Sequence, residues 1–270
     1  MTYQLATNRT FGVEFEAYNV DRYTLVNELR AANINAEAAS YTGQNFSVWQ
    51  IKTDCSIRGI NGFEIVSPVL RGEAGLREVE KVLEITNRLG GQVNRSCGFH
   101  IHWGVGDWGV KQFRNFCKRW SKFEGGLDTV QPPSRRGDSN RFCQNFRTAF
   151  QYIDQCRTID QLISNVQQSR YKKINFQKFW NTGTVEVRHH AGTLDWEKTL
   201  HWIKLTASLV ADADNSKSIQ KWNNIVSGKK MLDTLLDAAV RTGGIDNETR
   251  KFFKSRARHF VRMEEQERNN

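Results

Sequence analysis

Apolar and polar side chains alternate along four short stretches of the chain, at residues 10–20, 62–70, 97–105 and 183–191. In the third stretch, Phe99, Ile101 and Trp103 alternate with His100 and His102. A period of two residues is typical of a strand that buries one face and leaves the other to polar groups. The pattern therefore predicts four strands, each with one apolar and one polar face.

Apolar positions recur at helical spacing between these strands. They predict helices at residues 24–34, 75–91, 110–123 and 195–213, with two more near 229–241 and 247–266. The order of elements has no βαβ repeat, so we expect an α+β fold with a mainly antiparallel sheet. Helices would cover one face of that sheet, and the other face would stay open.

The interval 124–145 breaks the pattern, because it combines glycines and adjacent prolines with Arg135, Arg136 and Arg141. A long irregular segment in a compact domain is often a lid or a binding loop, and disorder is the alternative interpretation. We expect one catalytic domain over residues 1–215 and a helical extension over 216–270 packed on it.

Composition narrows the class of protein. The 270 residues carry a formal net charge of +10, which favours polyanionic partners such as nucleotides, acidic substrates or nucleic acid; a solvated basic surface is the alternative. Five cysteines without a CxxC pair argue against a zinc knuckle or a disulfide framework. No apolar run predicts a membrane span or an export leader, so we expect a cytoplasmic protein.

The polar faces of the four predicted strands carry most of the candidate chemistry. Their ionisable residues, with Asp54 just upstream of the second strand, are Glu14, Glu16, Glu64, His100, His102, Glu186 and Arg188. If one sheet holds them all, these groups converge, and clustered carboxylates repel unless a cation neutralises them. Two histidines among several carboxylates suit Mg²⁺ or Mn²⁺ better than Zn²⁺.

Five segments occur in the order typical of one family: GVEFE, DCS followed by GFEIVSPVL, CGFHIHWG, PPSRRGDSNRFC, and SRYKKINFQKFWNTGTVEVRHHAGTLDWEKTLHWIKL. Through them, most of residues 10–210 resembles the amidoligases of the glutamine synthetase-like carboxylate–amine ligase superfamily. The resemblance implies a curved, mainly antiparallel half-barrel with helices on its outer face, and ATP and Mg²⁺ or Mn²⁺ on the inner face.

The resemblance also implies a role for each matching residue. Glu16 and Glu64 look like ligands of the metal near the amine and carboxylate substrates. Glu14, His100 and Glu186 look like ligands of the metal that holds the ATP phosphates. His102 would contact phosphate, and Arg188 would meet a substrate carboxylate or the transferring phosphoryl group. The residues expected at the mouth of the nucleotide or substrate site are Arg170, Lys172 and Asn175.

The chain departs from the superfamily pattern at one position. The pattern has a further glutamate eight positions before the one matched by Glu64, and this chain has Ser56 there. Asp54, two residues earlier, is expected to act as the third ligand through a shifted strand register.

Alternation places His190 on the same face as Arg188, where it could move a proton from the attacking amine, although a structural role is equally compatible with the pattern. The loop arginines Arg135, Arg136 and Arg141 could close over the phosphates.

These features predict an ATP-dependent ligase that joins a small-molecule or peptide carboxylate to an amine through an acyl phosphate. One alternative is a metal-dependent hydrolase that uses the same surface. The other is a non-catalytic nucleic-acid-binding protein, because the C-terminal segment 248–270 interleaves basic and aromatic residues. That segment is also compatible with an amphipathic helix whose phenylalanines face inward.

Overall fold

The computed structural model describes residues 3–42, 45–215 and 219–269. The chain forms two compact units. The sheet unit contains residues 3–4, Asn8–Gly104 and Glu186–Ile203, and the helical unit contains Leu5–Thr7, Val105–Val185 and residues 204–269. The predicted boundary between residues 215 and 216 stays a prediction.

An open, mainly antiparallel sheet forms the sheet unit, with the strand order β2-β3-β4-β1-β6-β8. Strand β1 pairs antiparallel with β4, β5 and β6, and β3 pairs antiparallel with β4, whereas β2 runs parallel to β3. The strands are β1 (Thr10–Ala17), β2 (Ala36–Ala39), β3 (Trp49–Thr53), β4 (Phe63–Val66), β5 (Leu70–Arg71), β6 (Gly98–Gly104) and β8 (Thr184–Ala191). This architecture confirms the predicted α+β class.

One face of the sheet is a continuous apolar layer. Phe15 of β1 lies opposite Phe99 of β6, and their rings stack at 4.6 Å between centroids. Helices α1 (Arg22–Ala31) and α2 (Gly72–Arg88) contact each other, and α1 also contacts β2 and β3. The buried strand residues on this face include Phe11, Val13, Phe63, Ile65, Trp49, Ile51, Ile101, Trp103 and Val187.

Helices dominate the second unit. They are α3 (Val110–Asp128), α4 (Phe150–Gln155), α5 (Ile159–Leu162), α6 (Phe179–Thr182), α8 (Gly228–Arg241) and α9 (Asn247–Asn269), with a short strand β7 (Ile174–Asn175). Helix α7 (Trp196–Asp214) begins in the sheet unit and ends in the helical unit. Gly126 lets α3 approach α8 closely, because a Cβ at that position would lie 2.6 Å from the backbone nitrogen of Leu232.

The strongly periodic elements form where the sequence predicts them, and the short ones were missed. All four predicted strands and the six long helices are present. Helix α3 continues to Asp128, so the irregular segment begins later than expected, and a 3₁₀ turn at Pro133–Arg135 interrupts it. Strands β2, β3, β5 and β7, each of five residues or fewer, were not predicted.

Helix α9 buries Phe253 and Phe260, as expected for an amphipathic terminal helix. On the same helix, Lys254 forms an ion pair with Asp233 and Arg250 forms one with Asp237, both of α8. Among the described residues, no helix combines the length and the apolar character that crossing a membrane requires.

Asp246 immediately precedes α9 and is the basis of a prediction about stability. Its carboxylate accepts hydrogen bonds from the backbone of Thr249 at 2.7 Å and from Nζ of Lys204 at 2.7 Å. Burial works against ionisation, but these bonds outweigh it and lower the pKa of Asp246 from 3.8 to about 2. We expect Asp246→Ala to lower the free energy of unfolding by about 1 kcal/mol at pH 7, after allowance for solvent exposure of the pair.

The difference in free energy of unfolding between the wild type and Asp246→Ala should be constant above pH 5. It should vanish as the pH falls through 3.8 toward 2, because a carboxyl with a depressed folded-state pKa stabilises the fold only when it is ionised. Urea unfolding at several pH values measures it. A pH-independent difference would show that the charge of Asp246 contributes nothing.

Candidate active site

Strand β1 positions the centre of the polar face. Glu14 and Glu16 are two residues apart, so both side chains lie on the face opposite Phe15. Because Phe15 stacks on Phe99 in the apolar layer, a shift of the strand by one residue would bury the glutamates and expose the rings. The packing of β1 therefore determines where its two carboxylates lie.

One group of side chains forms around the first glutamate. Glu14 lies directly opposite His100 of β6, with 3.2 Å between Oε2 of Glu14 and Nδ1 of His100. Glu186 of β8 brings its Oε1 within 3.5 Å of the same nitrogen. One ligand atom from each of these three residues lies within 4.8 Å of the others.

A second group forms one pleat further along the strands. Glu16 lies directly opposite Glu64 of β4, and its Oε2 accepts a hydrogen bond from the backbone of Gly98 at 2.6 Å. Its Oε1 is 3.9 Å from Nε2 of His100. Glu16, Glu64 and His100 also offer ligand atoms within 4.8 Å of one another. His100 is 3% exposed and presents one ring nitrogen to each group.

The two groups differ in their electrostatic balance. Burial and the negative charges of Glu14 and Glu16 raise the pKa of Glu64 well above its ordinary range. Burial disfavours the ionised form of Glu14 too, but His102 and His100 outweigh it and hold the pKa of Glu14 well below its usual value. In the group that contains Glu64, burial and repulsion between carboxylates therefore favour the protonated form of Glu64.

Two cationic or potentially cationic side chains border the group that contains Glu14. Nε2 of His102 lies 3.0 Å from Oε1 of Glu14, and the pKa of His102 is raised because the charge of Glu14 outweighs the effect of burial. The guanidinium of Arg188 forms an ion pair with the carboxylate of Glu186 on the same strand. Burial opposes ionisation of Glu186, and Arg188 overcomes it and lowers the pKa of that carboxyl.

The donor set fits a divalent cation. Carboxylate oxygens with one imidazole nitrogen are the ligands that Mg²⁺ and Mn²⁺ accept, and both groups have this composition. A cation beside Glu64 would also relieve the repulsion that raises its pKa. Of the predicted metal ligands, these two groups bring together Glu14, Glu16, Glu64, His100 and Glu186.

Asp54 lies outside both groups. Its Oδ1 accepts a hydrogen bond from the backbone of Ser56 at 2.8 Å, and its charge is a minor contribution to the raised pKa of Glu64. Its role as a third ligand stays a prediction.

His190 is placed differently from our expectation. Its ring lies 5.6 Å from the ring of Phe99 and 5.2 Å from that of Trp202, between centroids. Phe99 belongs to the apolar face of β6, so His190 packs on the helix-covered side, and its Nδ1 lies 2.6 Å from the carbonyl oxygen of Ala191. Strict alternation along β8 placed it incorrectly, because backbone hydrogen bonds join Val105 to Gly183 and Gly192 to Cys97, so that β8 has one residue more than β6 between these two pairs.

The three loop arginines belong to the helical unit and have different environments. Arg135 is 3% exposed. Arg136 forms an ion pair with Glu264 and donates its Nε to the carbonyl of Gln131 at 2.7 Å. Arg141 is exposed, with its guanidinium 4.5 Å from the ring centre of Phe142. Because Arg135 is buried and Arg136 is paired, Arg141 is the loop arginine with the greatest freedom to move.

The other three predicted nucleotide-site residues also lie in the helical unit. Arg170 donates a hydrogen bond to the hydroxyl of Tyr171 at 2.9 Å, and Lys172 donates one to the carbonyl of Asn145 at 3.3 Å. Asn175 is buried and accepts from the backbone of Gln177 at 3.0 Å. Their contact with nucleotide or substrate stays a prediction.

Strand β3 adds a residue that sequence reasoning missed. Lys52 lies directly opposite Glu64, on the polar face, and is 8% exposed. The stretch Trp49–Thr53 alternates two buried apolar residues with Gln50 and Lys52, so the period-two signal was present but short.

Comparison with known proteins shows which family the chain belongs to. The model of one protein family, described as "Putative amidoligase enzyme", matches residues 7–210. The chain belongs to this amidoligase family. Membership supports an enzyme that joins a carboxylate to an amine. No curated protein matches this amidoligase.

Two solved structures resemble the amidoligase. One is a bifunctional glutathione synthetase from Pasteurella multocida, with 12% identity, a TM-score of 0.53, and coverage of 95% of this chain and 47% of the other. The amidoligase thus spans about half of that chain, and the likeness shows a shared fold. The other is a novel glutamine synthase homolog, with 9% identity, a TM-score of 0.47, and coverage of 95% and 67%.

The position and raised pKa of Glu64 lead to a prediction about metal binding. We expect Glu64→Gln to stabilise the metal-free protein at pH 7 by about 1 kcal/mol, because it removes a buried, repelled carboxylate. A carboxyl with a raised folded-state pKa costs stability as the pH rises above 4.5, so the variant should lose less stability over that rise.

In the wild type, Mn²⁺ at about 100 times its Kd should add about 2.7 kcal/mol to the free energy of unfolding. The variant should lose most of that gain, whereas Glu84→Gln, at an exposed helix position, should keep it. Denaturant unfolding with and without Mn²⁺ measures both effects. If Mn²⁺ stabilised both variants equally, Glu64 would not be a ligand of the metal.

Proposed function

We propose that this protein is an ATP-dependent carboxylate–amine ligase that acts through an acyl phosphate. In the first step, a substrate carboxylate oxygen attacks the γ-phosphorus of ATP, and ADP leaves. In the second step, an amine attacks the acyl carbon, loses a proton and expels inorganic phosphate. The carboxylate needs this activation because it otherwise offers no adequate leaving group.

One observation carries the proposal: the two clusters of glutamates, Glu14 with Glu186 and Glu16 with Glu64, share the buried ring of His100 on one face of the sheet. Several carboxylates close together are unfavourable without cations. A pair of cation sites beside each other is the arrangement that phosphoryl transfer uses to hold ATP and neutralise developing charge. Membership of the amidoligase family supports the same reaction.

The group of Glu14, His100 and Glu186 is the proposed nucleotide side. These residues would hold a Mg²⁺ or Mn²⁺ ion, which would neutralise the charge of the ATP phosphates. His102, beside Glu14, would donate a hydrogen bond to a phosphate oxygen. Arg188 orients Glu186 through their ion pair, and its remaining N–H groups would bind the transferring phosphoryl group.

The group of Glu16 and Glu64, with the second nitrogen of His100, is the proposed substrate side. The hydrogen bond from Gly98 fixes one oxygen of Glu16, which leaves the other for a cation. A cation beside Glu64 would favour the ionised form of this carboxyl, and the carboxylates of the group would attract an approaching amine. Small molecules or peptides that carry the carboxylate and the amine are the proposed substrates.

Glu16→Gln tests the substrate side. We expect ADP formation that depends on both acid and amine to fall by at least 100-fold, because one carboxylate ligand is lost while the amide retains the strand pairing. The assay incubates the protein with ATP, Mn²⁺ and pooled carboxylates and amines, and identifies products by mass.

Circular dichroism would verify that the variant is folded, and Glu84→Gln would serve as the matched surface control. Turnover equal to that of the wild type would show that Glu16 is not part of the active site. A product mass that corresponds to cleavage of a substrate by water, without ATP consumption, would favour a hydrolase instead of a ligase.

Arg188→Lys tests the nucleotide side. Lysine keeps the charge but loses the planar pair of donors, so we expect kcat to fall by about 10- to 100-fold with little change in protein stability. Steady-state ADP release measures kcat, and thermal unfolding verifies the fold. A kcat within twofold of the wild type would show that charge alone suffices at this position.

A further inference from the structure

Lys52 is a buried cation on the polar face of the sheet. It lies at the centre of β3, directly opposite Glu64, and Glu64 lies directly opposite Glu16. Directly paired residues project from the same face, so the three side chains form one row across β3, β4 and β1. At 8% exposure, Lys52 is more than nine-tenths buried.

No hydrogen bond or ion pair joins the side chain of Lys52 to another residue in the part of the chain that the structure describes. Two other buried lysines are paired: Lys173 contacts Asp128 at 2.6 Å, and Lys204 contacts Asp246 at 2.7 Å. Gln50, two residues from Lys52, is also satisfied, because its Nε2 donates to Glu37 at 2.8 Å.

Lys52 lies beside the proposed cation site, because it is directly opposite Glu64. A cation held by Glu16 and Glu64 would repel the ammonium of Lys52. An anion between them would stabilise both positive charges, and a carboxylate matches an ammonium with charge-assisted hydrogen bonds.

We propose that Lys52 binds a non-reacting carboxylate of the substrate, at the edge of the site formed by β3. The proposal deepens the proposed function, because it takes the group of Glu16 and Glu64 as the substrate side. It assigns the substrate class: a dicarboxylic acid, an amino acid or a peptide, with one carboxylate that is not activated.

The strand order separates this carboxylate from the phosphoryl-transfer end. Strands β4, β1 and β6 lie between β3, which carries Lys52, and β8, which carries Arg188. With a spacing of about 4.8 Å between strands, the two positions are roughly 19 Å apart along the sheet. We therefore assign Lys52 and Arg188 to different groups of the substrates.

Matched acids test the assignment without turnover. The Kd of straight-chain dicarboxylates, from succinate to pimelate, is compared with that of the monocarboxylates of equal carbon number. Isothermal titration uses protein with saturating Mn²⁺ at constant ionic strength. We expect the best dicarboxylate to bind at least 10-fold more tightly than its matched monocarboxylate in the wild type.

Lys52→Met keeps the length and apolar contacts of the side chain and removes the charge. It should abolish the preference for the dicarboxylate and leave the Kd of Mn²⁺ unchanged or lower. Lys52→Arg should keep part of the preference, and Lys81→Met, at an exposed position on α2, should keep all of it. Lys52→Gln replaces the methionine variant if that variant does not fold.

Absence of a dicarboxylate preference in the wild type, or its persistence without the Lys52 charge, would overturn the proposal. A weakened Mn²⁺ affinity that accounts for the whole loss would also overturn it, since Lys52 would then only support the metal site. Because binding needs no ATP cleavage, a dicarboxylate preference that depends on Lys52 in a protein without ligase activity would contradict the proposed function alone.

Discussion

Repulsion among carboxylates on one face of a sheet is the constraint around which this protein is organised. Glu14, Glu16, Glu64 and Glu186 project from three strands into the same space, and the apolar layer on the opposite face holds those strands in register. The stacked rings of Phe15 and Phe99 belong to that layer. Hydrophobic packing thus supplies the free energy that keeps like charges together, and a cation bound among them would relieve their repulsion.

The ring of His100 lies where the two groups meet. Its Nδ1 is near Glu14 and Glu186, and its Nε2 is near Glu16. Because a ring cannot turn without moving both nitrogens, the positions of the two groups are coupled. Two positive side chains lie on either side of the strands β4 and β1: Lys52 on β3 and Arg188 on β8. The carboxylates of Glu14, Glu16 and Glu64 are on the strands between these cations, and the carboxylate of Glu186 pairs with Arg188.

Alternation in the sequence was sufficient to predict the strands that carry Glu14, Glu64, His100 and Glu186, because each has an apolar residue on either side of the polar one. It could not predict His190, where contacts with Phe99 and Trp202 override the period of two. Lys52 was missed because it has an apolar residue on one side only, with the polar Thr53 on the other. Resemblance to a family grouped the five predicted metal ligands, but the distances between them depend on the pairing register of the strands, which no local pattern encodes.

The central position of β1 has a consequence for how such a site can diversify. Glu14 and Glu16 belong to separate candidate ligand groups but lie on the same strand, which is hydrogen-bonded to β4 on one side and to β6 on the other. Insertion or deletion of a single residue within Thr10–Ala17 would turn every following side chain to the other face. Changes of chain length are therefore confined to the connecting loops, and new specificities would arise by side-chain replacement at the ends of the row.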